Sequence, residues 1–297
     1  MRNNKNPQLQ IYKEVHKIHN EDVELALHSW LPANPDAAIF YFHGLQSHAG
    51  WLWEVGAQFA SKNIAFFVLD RRGSGISGGT RNEIADAKTT LNDYSITISY
   101  VRNLIGDEIP LSLFGHCLGG SFLAALMHYP SFTTYYDSAI FCSTWLGKLH
   151  RTLPINERSK LMNNDNKTMW HAGLKATDFT DITQYTNFID QDDLATRAIS
   201  QNSRKVLLDL ESIYINGNSF KFETLPLAYI SGKFDPIINM EDAHNAFLDY
   251  ISDTHTKISF PTDKHYLFFT NARNNTVNWV SNFILSNQKR NFIAKVA

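Results

Sequence analysis

The sequence predicts an α/β fold built on a mostly parallel sheet, and three observations lead to this fold class. From about residue 37 onward, short apolar runs bounded by turn residues alternate with segments of helical spacing, a pattern typical of βαβ units. Before residue 37, two strand-like runs flank the triplet Asn-Glu-Asp and predict an antiparallel hairpin. The chain has 297 residues, 43% of them hydrophobic, which is enough to bury a sizeable core.

The predicted elements follow one another in a regular order. The hairpin consists of the runs IYKEVHKIH and VELALHSWL. Six further strands are predicted because each run is short, apolar and bounded by turn residues: AAIFYF, IAFFVLD, LSLFG, SAIFCSTW, PLAYISG and KISF. Helices are predicted by helical spacing over residues 51–62, 91–104, 118–129, 240–251 and 275–288. The pattern therefore indicates an eight-stranded sheet with helices on both faces.

One interval, residues 146–223, breaks this alternation. It contains no clean strand pattern, yet it is far longer than a bare connection of about 12–15 residues. We therefore expect a helical cap at 146–223, inserted into a core formed by residues 1–145 and 224–297. Because long insertions over the carboxyl edge of such sheets usually shape a binding cavity, we interpret the cap as a substrate lid. The alternative is a second packing layer without a selective role.

Two patterns within the cap can be interpreted. Leu207, Leu210 and Tyr214 recur at the spacing of an amphipathic helix, and NNDNKT indicates a polar loop. Aromatic side chains predict an apolar pocket for an acyl chain or a ring, although aromatic residues in a lid also serve as packing. These residues are Trp145, Trp170, Tyr185 and Phe188.

Charge and composition exclude several classes of partner. The chain has 27 basic and 29 acidic residues in scattered positions, so neither nucleic acid nor an anionic membrane is an expected partner. The longest apolar runs, IAFFV and FLAALM, are far shorter than the roughly 18 residues of a membrane span. The first residues, MRNNKNPQLQ, lack the apolar region of a signal peptide, so we expect a cytoplasmic protein. The two cysteines are then expected to be thiols rather than a disulfide.

The segment LFGHCLGGSF carries the strongest chemical signal. Cys117 lies between a predicted strand and a predicted helix, and it is flanked by Gly115, Gly119 and Gly120. A sharp strand-to-helix turn needs such small residues, and Gly-x-Cys-x-Gly has the form of a nucleophile elbow with cysteine in the place of serine. The N-terminus of the helix lowers the pKa of a thiol placed there. Cys117 is therefore predicted to be the nucleophile, with a small buried apolar residue as the alternative.

A nucleophile needs a base and a group that orients the base. The run KFDPI places Asp235 after the predicted strand PLAYISG, and PTDKHYL places His265 after the strand KISF. Both positions lie at the carboxyl edge of the sheet, in the chain order nucleophile, acid, histidine. We therefore predict the triad Cys117, Asp235 and His265. Asp263 is an alternative orienting group, but it lies only two positions from the histidine and would have to fold back.

Two backbone N–H groups are expected to form an oxyanion hole. After the strand AAIFYF, the loop that begins with His43 and Gly44 can direct the N–H of Leu45 at the site. The N–H of Leu118, next to the predicted nucleophile, is the second donor. His43 and His116 are expected to brace the site rather than to act as bases.

The segment GSGISG, Gly73–Gly78, satisfies the glycine pattern of dinucleotide-binding loops. A helix should begin inside that pattern, however, and here the sequence continues as a loop. We therefore expect no nucleotide cofactor. The sequence also contains neither a His-Glu-x-x-His motif nor clustered Cys and His residues at metal-ligand spacing, so no metal is expected.

Together these segments resemble the α/β-hydrolase fold family, in its monoacylglycerol-lipase-like (serine aminopeptidase S33-type) group. FHGLQSHAGW resembles the His-Gly oxyanion segment, LDRRGSGISGG the Asp-x-Arg-Gly-x-Gly-x-Ser signature, and GHCLGG the Gly-His-Ser-Leu-Gly-Gly elbow. GKFDPI and KHYL resemble the acid and histidine segments. The resemblance extends from about residue 20 to about residue 290 and weakens in the cap. It implies fold more specifically than substrate.

Cysteine in the place of serine changes the expected chemistry. Its acyl-enzyme would be a thioester, so exchange with another thioester is nearly balanced, whereas attack on an ordinary ester is less favourable. The expected substrate is therefore a small, activated acyl group, presented for example on coenzyme A or a carrier protein. Cysteine variants of this fold that look similar at the elbow include dienelactone hydrolases, polyhydroxyalkanoate synthases and aminoacyl-shuttling transferases.

Three functions remain open at this stage. A hydrolase of an activated ester or thioester is the first expectation. An acyl or aminoacyl transferase to a thiol, amine or alcohol is the second, and a catalytically silent binding protein is the third. An engineered Ser→Cys substitution in a serine enzyme would give the same residue at position 117.

Overall fold

The computed structural model describes residues 10–163, 168–218 and 222–294. The N-terminal residues 1–9 and the centre of the predicted NNDNKT loop, residues 164–167, lie outside these ranges. No helix of the described residues is both long enough and apolar enough to cross a membrane.

The strands and helices have the following bounds. The strands are β1 (Ile11–Asn20), β2 (Val23–Pro32), β3 (Ala37–Phe42), β4 (Ile64–Leu69), β5 (Leu111–His116), β6 (Ser138–Cys142), β7 (Met169–His171), β8 (Ala198–Ser200), β9 (Leu227–Gly232) and β10 (Thr256–Phe260). The helices are α1 (Trp53–Ser61), α2 (Ala87–Ile105), α3 (Leu118–His128), α4 (Lys148–Thr152), α5 (Ile155–Met162), α6 (Ala176–Phe179), α7 (Thr183–Gln191), α8 (Gln201–Ile215), α9 (Met240–Tyr250) and α10 (Arg273–Ala294).

The main sheet has eight strands in the order β1-β2-β4-β3-β5-β6-β9-β10. β1 pairs with β2, and β2 with β4, in antiparallel fashion, whereas the remaining neighbours are parallel. The predicted hairpin and the predicted mostly parallel eight-stranded sheet are therefore confirmed. In this topology β5, β6, β9 and β10 are adjacent, so the loops at their carboxyl ends share one edge.

Two apolar clusters cover the two faces of the sheet. Phe40 and Phe42 of β3 belong to a cluster that includes residues of α2, α3, α8 and α9. Ile39 and Tyr41 of the same strand belong to a second cluster that includes residues of α1 and α10. Alternate side chains of a strand point to opposite faces, so β3 is buried on both sides. The prediction of helices on both faces is confirmed.

Some boundaries differ from the sequence prediction, and the local chemistry explains why. The helix predicted from residue 91 begins earlier, at Ala87, because the Asp86 carboxylate caps it by accepting the N–H of Thr89 at 2.9 Å. The strand predicted over SAIFCSTW ends at Cys142, since Ser143 has a φ of 44° and turns the chain out of the strand.

The predicted cap interval contains α4 to α8 and also β7 and β8. These two short strands pair in antiparallel fashion, which corrects the expectation of a purely helical segment. Strands of three residues are too short to show a period-2 alternation, so no sequence pattern indicated them. The predicted amphipathic helix is confirmed, because α8 contains Leu207, Leu210 and Tyr214 and all three are buried. The domain boundaries at 145/146 and 223/224 remain predictions.

Candidate active site

The turn between β5 and α3 consists of a single residue, Cys117. β5 ends at His116 and α3 begins at Leu118, so the chain changes from strand to helix at the thiol-bearing position. Cys117 has φ 53° and ψ −125°, a left-handed conformation that residues other than glycine rarely adopt. Its N–H donates to the carbonyl of Cys142 at 3.0 Å, which helps to hold the turn. Such strain concentrates at functional sites because the surrounding structure has to enforce it.

The glycines of the elbow are required by close backbone contacts. A Cβ atom on Gly119 would lie 2.0 Å from the carbonyl oxygen of Phe42, at the end of β3. A Cβ atom on Gly115 would lie 2.7 Å from the Cα of Gly120. Both obstacles are backbone atoms, so they cannot rotate away as the end of a flexible side chain can. The Gly-x-Cys-x-Gly pattern therefore reflects the close approach of α3 to the sheet.

The predicted acid and histidine lie side by side. Asp235 follows β9 and His265 follows β10, and these strands pair in parallel. The Nδ1–H of His265 donates to Oδ2 of Asp235 at 2.7 Å, and both side chains are fully buried. The other carboxylate oxygen of Asp235 accepts the N–H groups of Ile237 and Ile238 at 2.9 and 3.0 Å. The alternative orienting residue, Asp263, is exposed, so the structure brings Asp235 to the histidine instead.

The Cys117 thiol and the His265 imidazole shift each other's protonation. Burial raises the pKa of Cys117, but the neighbouring His265 and the N–H of Leu118 outweigh it, so that the pKa is lowered from its ordinary value. Burial lowers the pKa of His265, but the Asp235 carboxylate and Cys117 outweigh it and raise this pKa to about 10. Both shifts favour a thiolate beside an imidazolium. Among the described residues Nε2 of His265 forms no hydrogen bond, so it is available for proton transfer, and Cys117 is near enough to raise the pKa of His265.

The two expected oxyanion donors both lie next to Cys117. Leu45 lines the same cavity as Cys117, and the N–H of Leu118 is close enough to the sulfur to lower its pKa. Arg71, which sequence reasoning missed, holds the Leu45 loop: its guanidinium donates to the carbonyls of Gly44 and Leu45 at 3.1 and 3.2 Å. The only available signal was a charged residue directly after an apolar strand. The oxyanion role of the two N–H groups remains a prediction.

His43 and His116 are both buried and neutral. Nε2 of His43 accepts the N–H of Arg71 at 3.1 Å, and its Nδ1 pairs with the Gly44 carbonyl at 2.9 Å. Burial and the Arg71 cation lower the pKa of His43 to about 3. Burial and His265 lower the pKa of His116 to about 3 as well. Neither residue is therefore suited to accept a proton near neutral pH, in agreement with the expected bracing roles.

The glycine-rich segment Gly73–Gly78 packs against Asp70. A Cβ atom on Gly75 would lie 2.1 Å from the Asp70 carboxylate, which also accepts the N–H of Ala49 at 2.7 Å. α2 begins only at Ala87, so no helix starts inside the glycine pattern. The glycines thus allow this loop to fold around a buried carboxylate that ties it to the segment after β3.

A cavity of about 360 Å³ lies between Cys117 and the cap. Leu45 belongs to the core side of its wall, and Leu149, Trp145 and Trp170 contribute further apolar surface. Three charged side chains also line it, namely Lys148, Asp178 and Arg204. The cavity therefore offers an acyl group an apolar chamber with a few charged positions, the usual composition of a small-molecule site.

Two of the four aromatic residues expected to form the pocket do not line this cavity. The Tyr185 ring stacks on Phe269 with centroids 4.3 Å apart, and Phe188 packs edge-on against Trp53 at 4.8 Å. These rings hold α7 against the core, which corrects the expectation that they form the pocket. Sequence alone could not separate the two groups, because packing and lining positions have the same composition.

A buried carboxylate in the cap fixes part of the cavity wall. Glu211 of α8 accepts hydrogen bonds from Nε1 of Trp145 (3.1 Å), from the N–H groups of Leu149 (3.1 Å) and His150 (2.9 Å), and from Nδ1 of His150 (2.8 Å). It thereby satisfies free N–H groups in the first turn of α4 and orients the Trp145 ring. The sequence held one signal for this role, because Glu211 lies among the apolar positions of an amphipathic helix.

A second carboxylate ties the cap to the loop that carries Leu45. Asp192, directly after α7, pairs with Nε2 of His48 at 3.0 Å and accepts Nε1–H of Trp51 at 2.6 Å. The N–H of Thr196 also donates to the carbonyl of Gln46 at 3.1 Å. No sequence pattern indicated these contacts, which join positions more than a hundred residues apart.

The cysteines and the possible metal ligands are the remaining chemical groups to consider. Cys117 and Cys142 are both free thiols. Their side chains belong to the apolar clusters on opposite faces of the sheet. Within the described residues, no group of three or more His, Cys, Asp or Glu side chains is arranged to hold a metal ion.

A mostly parallel eight-stranded sheet, a one-residue elbow after β5, and an acid and a histidine after later strands define an α/β-hydrolase fold. The sequence profile of the family described as serine aminopeptidase, S33, matches residues 33–271. The chain belongs to this family.

Parts of the chain are similar in sequence to two lipases. The chain is 31% identical over 125 residues to the monoglyceride lipase of Rattus norvegicus, covering 40% of each chain. It is 28% identical over 104 residues to the monoacylglycerol lipase of Mycolicibacterium smegmatis, covering 35% of this chain and 37% of that protein. The matched segments thus span less than half the length of these curated relatives.

A similar structure has been solved for a soluble variant of the monoglyceride lipase from Saccharomyces cerevisiae, in complex with a substrate analogue. Its TM-score is 0.78 at 14% sequence identity, covering 94% of this chain and 97% of that one. At this identity the likeness establishes the fold alone.

Proposed function

We propose that the protein is a hydrolase that cleaves an activated acyl ester or thioester through a covalent thioester on Cys117. The observation that carries the proposal is the Cys117 thiol in a strained elbow, beside a histidine whose partner Asp235 lies 2.7 Å away. The similarity to monoglyceride lipases supports an acyl substrate, since those relatives are named for ester substrates.

Acylation begins with attack of the Cys117 thiolate on the acyl carbonyl carbon. The carbonyl oxygen becomes an oxyanion, which the N–H groups of Leu45 and Leu118 stabilise by hydrogen bonds. The tetrahedral intermediate then collapses: the bond to the leaving group breaks, and the leaving thiolate or alkoxide takes the proton held on Nε2 of His265. The product of this half-reaction is a thioester on Cys117 and a neutral imidazole.

Deacylation repeats these steps with water. His265, oriented by Asp235, removes a proton as water attacks the thioester carbonyl, and a second oxyanion forms in the same place. Collapse releases the carboxylic acid and regenerates the Cys117 thiolate beside the imidazolium. The positive charge that forms on His265 is balanced throughout by the buried Asp235 carboxylate.

Cysteine restricts which acyl donors react well. A thioester donor exchanges one thioester for another of similar energy, whereas an ordinary ester must form a higher-energy thioester and expel an alkoxide. We therefore propose that the acyl donors include thioesters of coenzyme A or of a carrier protein. We also propose a cytoplasmic location.

The identity of the nucleophile favours one further candidate, an acyl or aminoacyl transferase. A thioester on Cys117 is sufficiently activated to pass its acyl group to an amine, an alcohol or a second thiol in the place of water. In that case the cap over Cys117 would serve to keep water from the intermediate.

Intact-protein mass spectrometry after mixing with a panel of acyl thioesters and activated esters tests the proposal. We expect a mass increase equal to the acyl group, absent from Cys117→Ala and retained in Cys142→Ala, which removes the other buried thiol. Product release in water alone supports the hydrolase, and an adduct that discharges only to an added amine, alcohol or thiol supports the transferase.

Two outcomes would count against the proposal. If no donor acylates the protein, or if Cys117→Ala is acylated as readily as the parent, the nucleophile assignment is wrong. If Cys117→Ser turns over ordinary esters faster than the parent turns over any donor, the preference for activated donors is wrong, and the sequence is better explained as an altered serine enzyme.

A further inference from the structure

Two cations line the cavity above Cys117, and neither is ion-paired with another residue that the structure describes. Lys148 is the first residue of α4, and Arg204 lies in the first turns of α8. Neither side chain takes part in an ion pair within 4 Å among the described residues. An unpaired cation in a partly buried cavity wall costs free energy, so its presence calls for an explanation.

Each cation is held in place by the face of a tryptophan. Nζ of Lys148 lies 4.7 Å from the ring centroid of Trp145, and Cζ of Arg204 lies 4.9 Å from that of Trp170. Both tryptophans also line the cavity. Cation–π contacts of this kind orient the charged group and leave its N–H donors directed elsewhere.

Each cation makes one hydrogen bond to the described part of the chain. Lys148 donates to the carbonyl of Ile237 at 3.2 Å, which uses one of its three N–H groups. Arg204 donates from Nη1 to the Gln201 side chain at 3.0 Å, whereas its Nε is buried without a hydrogen-bond partner among the described residues. A buried unsatisfied donor beside a cavity is a position that a bound acceptor would satisfy.

Two carboxylates lie near the cations, but within the described ranges neither forms an ion pair with Lys148 or Arg204. Asp178 also lines the cavity, but its carboxylate accepts the N–H of Lys175 at 2.8 Å in the first turn of α6. Glu157 of α5 faces Arg204 across an adjoining cavity, where it is exposed and forms no ion pair within 4 Å among the described residues. Burial lowers the pKa of Arg204 more than the Glu157 charge raises it.

We propose that Lys148 and Arg204 form a subsite for an anionic group, a carboxylate or a phosphate, that the acyl donor carries away from its reacting carbonyl. The inference rests on the proposed function and deepens it by naming a substrate class. Arg204 suits either anion, because the planar guanidinium presents paired N–H donors to two oxygens. Lys148 adds a second positive charge to the lining of the same cavity. The anion can belong to the end of the acyl chain or to the leaving group.

Four thioester donors show whether the recognised anion belongs to the acyl chain or to the leaving group. Hexanoyl and adipoyl groups have equal chain length, but only adipoyl ends in a carboxylate. Each is tested on N-acetylcysteamine, which is neutral, and on coenzyme A, which carries phosphates. We expect kcat/KM to be at least about tenfold higher for the donor with the matching anion, the effect of one well-formed charged hydrogen bond. A preference for adipoyl places the anion on the acyl chain, and a preference for coenzyme A places it on the leaving group.

Variants then assign the preference to the two cations. Arg204→Gln and Lys148→Met should each reduce the charge preference at least about threefold and together bring it close to one, because the charged donor loses more activity than the neutral donor. Arg204→Lys keeps the charge and should retain part of the preference. Lys88→Met removes an exposed lysine remote from the cavity and should leave the preference unchanged. Thermal unfolding of each variant identifies any that fails to fold.

A binding measurement separates this inference from the proposed function. Calorimetry on Cys117→Ala, with adipate, uncharged hexanamide or coenzyme A, needs no acylation. We expect one of the anionic ligands to bind at least about tenfold more tightly than hexanamide, and Arg204→Gln in the same background to remove the difference. If Cys117 is acylated equally by neutral and anionic donors and no ligand shows this difference, the subsite is wrong and the nucleophile assignment is unaffected. If Cys117 is never acylated but the binding difference is found, the subsite holds and the proposed catalysis fails.

Discussion

Two regions of the molecule meet at Cys117, and they are built in different ways. On the sheet side, Cys117, Asp235 and His265 each follow directly on or shortly after a parallel strand, so the strand register places them at one edge. On the cap side, single carboxylates such as Glu211 and Asp192 hold helices to the core through side-chain hydrogen bonds. Changes on the sheet side should therefore act on the chemistry, and changes on the cap side on binding and stability.

The largest effect is expected at the sheet edge, from Asp235→Asn. An amide cannot stabilise the imidazolium and can impose the wrong imidazole tautomer, so turnover of a reactive thioester should fall by about 10⁴-fold, as for the equivalent change in a well-studied serine protease. The measurement is steady-state kinetics with the best donor. Asp263→Asn, which alters an exposed carboxylate two residues from His265, should change turnover less than about threefold. Equal losses of turnover in the two variants would show that the assignment of the orienting role to Asp235 is wrong.

Asp235→Asn should also change the pH dependence of Cys117 alkylation. The pKa of Cys117 is lowered by His265, whose own pKa is raised to about 10, so the reactive thiolate is present above the lowered thiol value and is lost only as pH falls through it. In Asp235→Asn the histidine loses its partner, and the alkylation profile should move toward the ordinary thiol value of about 8.5. Rates of iodoacetamide modification measure both profiles. An unchanged profile would show that Asp235 does not control the pair.

The next largest effect tests the packing behind the elbow. In Gly119→Ala the new Cβ would meet the Phe42 carbonyl at 2.0 Å, so α3 and β3 must separate, which should lower the free energy of unfolding by about 3 kcal/mol. Urea denaturation measures the change. Gly173→Ala is the control, since its Cβ meets nothing within 4 Å and its positive φ of 69° is the only unfavourable feature, at a cost of about 1 kcal/mol. If the control is destabilised as much, backbone conformation rather than contact explains the elbow glycines.

The contrast also shows what a sequence can predict. The sheet was predictable, as were the positions of Cys117, Asp235 and His265 at its edge, because turn chemistry and strand order fix where a residue after each strand lies. The cavity walls were not, since they depend on which side chains meet across large sequence separations: Glu211 contacts Trp145, and Asp192 contacts His48. The strands β7 and β8 are too short to show a periodic pattern in the sequence. Nor did any sequence feature distinguish Trp170, which lines the cavity, from Tyr185, which packs against Phe269.

Glu211→Gln tests the cap directly. One carboxylate oxygen accepts from Trp145 and Leu149 and the other from His150, so the single acceptor oxygen of the amide can serve only one of these two pairs. We expect a loss of about 2 kcal/mol in the free energy of unfolding, and a KM that rises more than kcat falls because Trp145 lines the cavity. Asp209→Asn, on the same helix and half-buried, should stay within about 0.5 kcal/mol. A fall in kcat alone would instead place Glu211 among the groups that serve the chemical step.

The smallest effect is expected where the cap and the Leu45 loop are joined. His48→Gln should weaken the contact to Asp192, and because Asp192 retains the Trp51 and Leu194 donors, the loss should be about 1 kcal/mol. Opening of the loop should then become about fivefold more frequent, measured as hydrogen exchange of its backbone amides. Arg151→Met is the control: its pair with Asp249 is 29% and 55% exposed, and such surface pairs contribute little. If hydrogen exchange in the Leu45 loop is unchanged in His48→Gln, the cap does not restrain that loop. The two regions would then act independently, meeting only at the cavity wall.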